Sequence, residues 1–141
     1  MAAIRRYPLG ASLLLLASLG GCGEELGPER FDTTRVTGVV REGGHVVSGG
    51  WIEIFPVDGA VGTLRSAPLG SDGRFAVDRV AVGTNAIGLV AAHVRDRTNR
   101  RLFDTLGTPI RREIPPGAHT ELTIDLMEER ARHLAEIAAR R

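Results

Sequence analysis

The sequence predicts an all-β domain: a seven-stranded antiparallel β-sandwich of two sheets, followed by a short C-terminal helix. Three observations carry that expectation. From Thr33 onward, short apolar runs alternate with glycine-bearing turns, which is the texture of antiparallel sheets. Within the runs, apolar side chains recur at every second residue, most cleanly over Glu121-Leu122-Thr123-Ile124-Asp125-Leu126. After Met127 the period becomes helical, with Met127, Ala131, Leu134 and Ala138 on one stripe and Ile137 beside it.

Along the chain, Met1 to Arg6 carries Arg5 and Arg6, and Leu9 to Leu19 is apolar or small throughout. That run has the size of a signal-peptide core and falls short of the roughly 18 residues a spanning helix needs. Gly20 and Gly21 then give a peptidase access to the backbone just before Cys22. The segment Leu19-Gly20-Gly21-Cys22 resembles the lipobox of bacterial lipoproteins, with Gly20 where that family usually has Ala or Ser. The resemblance implies a signal peptide over 1–21, a diacylglycerol on the Cys22 sulfur, and a membrane as partner through that lipid. Gly23 is not the aspartate that keeps some lipoproteins at the inner membrane. The expected location is therefore the outer membrane, facing periplasm or cell surface.

Cleavage before Cys22 leaves 120 of the 141 residues, which is one domain's worth of chain. Loss of Arg5 and Arg6 takes the basic residues from 18 to 16 against 17 acidic ones, a formal charge of −1. Nucleic-acid binding needs a concentrated positive face, so it is not expected. Cys22 is the only cysteine. The domain beyond it must then be held by apolar burial, without disulfides.

Residues 22–32 are polar and turn-rich and read as a tether. The sandwich is expected over 33–126. Arg35 to Arg41 is its first strand, and Gly43-Gly44 can supply the positive φ angles of a hairpin. Gly50 to Phe55 follows, with Ile52 and Ile54 on one face and Trp51, Glu53 and Phe55 on the other, and Pro56 ends it. Thr63 to Leu69 is a weaker strand, and Asp72-Gly73 turns the chain into Arg74 to Asp78. Asn85 to Val94 is the longest run, and Arg95 to Arg101 a charged loop. Leu102 to Leu106 and Pro109 to Ile114 are short and undecided, Pro115-Pro116-Gly117 is a turn, and Glu121 to Leu126 is the last strand. The expected core is Val36, Val40, Ile52, Ile54, Phe75, Val77, Ile87, Leu89, Leu122 and Ile124. The tail, 127–141, adds Glu128–Arg132 and Glu136–Arg140 spacings in the order that favours a helix, and should either dock loosely on the sandwich or fray.

Val36-Thr37-Gly38-Val39-Val40, Val47-Ser48-Gly49-Gly50-Trp51-Ile52-Glu53-Ile54, Asp72-Gly73-Arg74-Phe75 and Val80-Ala81-Val82-Gly83, in that order, resemble the carboxypeptidase regulatory-like family. The resemblance implies a transthyretin-like (prealbumin-like) β-sandwich over about Thr33 to Leu126. It also implies a non-catalytic accessory role, and it carries over no catalytic residue. Arg95 to Ile114 is longer and more charged than the family pattern, and the helical tail lies outside it.

Candidate chemistry is sparse. His45, His93, His119 and His133 show no pair at metal-ligand spacing on one element, so neither a metal nor another cofactor is expected. Hydroxyisourate hydrolases share the transthyretin architecture and end in Tyr-Arg-Gly-Ser. Here the only tyrosine is Tyr7 and the chain ends Ala-Ala-Arg-Arg. Ser48, Ser66 and Ser71 lie outside any Gly-x-Ser-x-Gly elbow, so no enzyme is expected. Trp51 and Phe55 share a face that could stack on a sugar or a peptide, though such a pair more often lies under a loop or helix as ordinary core. Arg95, Arg97, Arg100 and Arg101 could meet an anionic polymer or lipid headgroups, but Asp96 among them favours a solvated loop. The expected role is a membrane-anchored, non-enzymatic envelope lipoprotein serving as a structural or protein-interaction module, with an envelope protein or glycan as the candidate partner and carbohydrate or peptide binding as the alternative function.

Overall fold

The computed structural model describes residues 31–141. Ten elements follow in order: β1 (Thr33–Glu42), β2 (His45–Val46), β3 (Trp51–Pro56), β4 (Arg65–Pro68), β5 (Arg74–Ala81), β6 (Gly83–Val90), α1 (Arg97–Leu102), β7 (Arg111–Ile114), β8 (His119–Asp125) and α2 (Leu126–Ala139). They make two four-stranded sheets with a C-terminal helix. In the first sheet β1 is central, with β8 on one side and β5 and the short β2 on the other. The second runs β4-β3-β6-β7.

Two sheets form because each has one apolar face to hide, and side chains alternate faces along a strand. Nine of the ten expected core residues are buried, and Leu122 is half-buried against them. Each fully buried aliphatic or phenyl side chain contributes about 1.5–3 kcal/mol. A typical hydrogen bond adds only about 1 kcal/mol net. Burial between the sheets therefore decides the architecture. Phe103, Ile110 and Ile114, from the undecided stretches, are also fully buried.

The seven-stranded antiparallel expectation needs two corrections. There are eight strands among the described residues, because the chain pairs twice on its return from the Gly43-Gly44 hairpin, Arg41 with Val46 and Glu42 with His45. One sheet is mixed, because β8 runs parallel to β1. The Pro115-Pro116-Gly117 turn carries the chain from β7 in the second sheet to the starting end of β1. There His119 meets Arg35, and the strand can only run alongside.

Other boundaries moved for local reasons. The run expected to reach Val94 stops at Val90, where Ala91 takes a φ of 53°. The expected charged loop at Arg95 to Arg101 contains α1. Its N-cap Asp96 accepts from Thr98 N at 2.6 Å and Asn99 N at 3.1 Å. Leu102 to Leu106 is not a strand but the end of α1 and a loop, touching β6 through one bridge between Asp104 and Leu89.

The tail is helical as expected, but it is turned the other way round. Leu126 and Glu129 are buried while Met127 and Leu134 stay exposed. At about 100° per residue, Leu126, Glu129 and His133 lie about 140° round the helix from the apolar stripe. Glu129 anchors this face through Arg112 of β7, and Arg132 joins it at 2.9 Å rather than pairing with Glu128.

Candidate functional site

The outer faces of the two sheets differ. On the first sheet, Arg35 pairs with Asp78 at 3.2 Å, and Thr37 Oγ1 lies 2.6 Å from His119 Nε2. That face is polar and solvated. On the second sheet, the β3 alternation sends Ile52 and Ile54 inward and Trp51, Glu53 and Phe55 outward. Trp51 stands beside Pro68 and Val90, Glu53 beside Ser66 and Gly88, and Phe55 beside Ala86.

Trp51 is 49% exposed and Phe55 half-buried. The ordinary-core expectation for this pair is thus corrected at its tryptophan end. The loop after α1 does cross this face, but over β6: a Cβ at Gly88 would overlap Thr105 Cα. Glycine there lets the loop lie on β6, while on β3 Trp51 stays exposed and Glu53 and Phe55 are partly covered. The result is a strip about 13 Å long at strand spacing, with an indole face, a carboxylate and a phenyl ring. An exposed indole offers a flat apolar face and an N–H donor, which suits a sugar ring or a peptide.

The four histidines stay apart. His45 and His93 are exposed, His93 lies over Gly49, and His119 touches Thr37. His133 lines a cleft of about 300 Å³ between α2 and the second sheet, with Asp58, Arg111, Glu136, Ile137 and Arg140. Arg111 is held there by the carbonyls of Thr108 at 2.7 Å and Ile110 at 3.1 Å. Among the described residues, no group of three His, Cys, Asp or Glu stands where it could hold a metal ion. No helix among them is long and apolar enough to cross a membrane. Cys22 and the segment resembling a lipobox lie outside the described residues.

One polar cluster was not anticipated. Glu42, buried at the end of β1, accepts from Arg95 N at 2.7 Å, Asp96 N at 3.2 Å and Asn99 Nδ2 at 2.8 Å. Asp96 in turn faces Arg130 of α2 at 3.5 Å. Asp125, the N-cap of α2, accepts from Met127 N at 2.9 Å and from Gly43 N in the hairpin at 3.1 Å. These carboxylates tie β1, α1 and α2 together, a structural role. The backbone N–H groups of Asn99 and Thr98, helped by Arg130, hold the Asp96 carboxyl below its ordinary value. Burial pushes Asp125 up, but the N–H groups of Gly43, Met127, Gly44 and Glu128 outweigh it and leave its pKa lowered. The only sequence signal for this cluster was acidic residues beside turn and helix starts.

Comparisons with family models, curated proteins and solved structures find no match to this chain.

Proposed function

We propose that the chain is a lipid-anchored, non-enzymatic lipoprotein of the cell envelope, whose transthyretin-like β-sandwich serves as a structural or protein-interaction module. The observation that carries this reading is Cys22, placed where the apolar run Leu9 to Leu19 and two glycines end, with the folded body beginning soon after. The two-sheet body is compatible with the family resemblance if the two-residue β2 is counted as part of the hairpin. The test is a Cys22→Ala chain expressed in a bacterial envelope. It should leave the detergent phase, or accumulate with its signal peptide uncleaved. Unchanged detergent partitioning contradicts the anchor.

The exposure of Trp51 supports a second reading, in which the strip of Trp51, Glu53 and Phe55 binds a glycan or an extended peptide. Trp51 is the sole tryptophan, so its emission reports directly on that face. Titration with envelope glycan fragments should shift or quench it, and an unperturbed spectrum with glycans and peptides alike contradicts this role.

A further inference from the structure

We infer that the outward face of α2, together with the loop between β3 and β4, lies on the anionic lipid surface to which the chain is tethered. This rests on the lipid anchor proposed above. The first observation is the orientation of α2. Its charged side faces the body through Glu129, while Leu134, on the opposite stripe, is 54% exposed, and Ile137 sits at the rim of the cleft against the second sheet. The second is where the helix goes. It starts beside the hairpin at the far end of β1, where Met127 approaches Gly43, and runs back along the sandwich until Arg140 and Ile137 share a cleft with Asp58. The third is where the chain enters. Phe31, the first described residue, packs against Gly62 in the same β3–β4 loop as Asp58. That loop also exposes Val61 at 70% and Leu64 at 48%.

The C-terminal end of α2, these loop residues and Phe31, where the described residues begin, therefore share one end of the described body. From Cys22 to Phe31 the chain can span at most about 30 Å. A lipid at Cys22 keeps this end close to the bilayer, at an effective concentration of roughly millimolar order, where a modest apolar contact is populated. Arg140 and Arg141, at the helix end, carry no ion pair among the described residues, which suits anionic headgroups. A bilayer fits better than a second copy, because the exposed apolar residues come from two separate segments at the end where the described chain begins, nine residues after Cys22.

The test uses the full lipidated chain in vesicles of phosphatidylethanolamine and phosphatidylglycerol with bromine-substituted acyl chains. Trp51→Phe combined with Leu134→Trp moves the sole indole onto α2, at an exposed site that should leave folding intact by circular dichroism. Brominated lipid should quench the indole at position 134 at least twofold more than it quenches native Trp51. Mass spectrometry of Cys22 runs in parallel. Equal quenching at both positions, with the diacylglycerol present, overturns the docking and leaves the anchor standing. An unmodified Cys22 overturns the anchor and this inference with it. Protection from aqueous iodide at position 134 without lipid quenching marks a second copy as the occupant and also overturns it.

Discussion

Where β1 stops, carboxylates take up the free N–H groups, though Asn99 Oδ1 is buried without a partner: Glu42 takes three donors, Asp96 and Asp125 cap helices, and Arg130 reaches across to Asp96. Where β1 begins, Val61 and Leu64 face solvent in the loop that touches Phe31, and Ile137 shares a cleft with Asp58 of that loop. The contrast teaches where the fold spends its polar contacts. The far end must hold two helix starts and a hairpin against a buried core, so each orphan N–H there needs an acceptor. The tether end has only turns to close, and apolar side chains there have no internal duty.

The largest effect that sharpens the contrast is expected at Glu42. Glu42→Ala strands the N–H of Arg95 and Asp96 and the Asn99 amide, and should cost about 3 kcal/mol or more in denaturant unfolding. Leu64→Ala at the other end should cost well under 1 kcal/mol. Equal losses would erase the distinction.

Next in size is the packing of the loop on the second sheet. Gly88→Ala sets a methyl against Thr105 and should destabilise by about 1–3 kcal/mol. On the same sheet, Ile52→Ala should cost about 2–5 kcal/mol and Trp51→Ala far less, because Ile52 is fully buried and Trp51 half exposed. Comparable losses at 51 and 52 would mean that Trp51 is core and not a binding face.

Smaller still is the acid response of the far end. Asp96 and Asp125 have folded pKa values below the ordinary 3.8, so their stabilisation is full above about pH 4 and fades as pH falls through the folded values. Asp125→Asn keeps a capping oxygen but loses the charge. Its stability should therefore vary less with pH between about 5 and 2 than that of the parent chain. An unchanged slope would show that the Asp125 charge is not what titrates.

Much of the sandwich was legible because its strands obey period two. Ile52, Ile54, Phe75 and Val77 announce their burial from local sequence alone. The parallel seating of β8 on β1 was not legible, since it depends on where the Pro115-Pro116-Gly117 turn delivers the chain. Nor was α1, six residues long and fixed partly by Glu42, which lies 57 residues before Asn99. The α2 stripe showed a helix but not its direction, because an apolar face reads as inward until a buried Glu129 is seen to hold the other side. For the candidate ligand face, sharing of one side by Trp51 and Phe55 could be read from alternation. Whether a loop covered them depended on the non-local path of the chain across Gly88.

The anchor is the premise on which the tether end acquires its meaning. Intact-mass and N-terminal peptide analysis of protein purified from bacterial membranes addresses it most directly. The account predicts a chain that begins at Cys22 and carries a diacylglycerol on its sulfur. A free thiol at that position, or a mature chain beginning at any other residue, would contradict it.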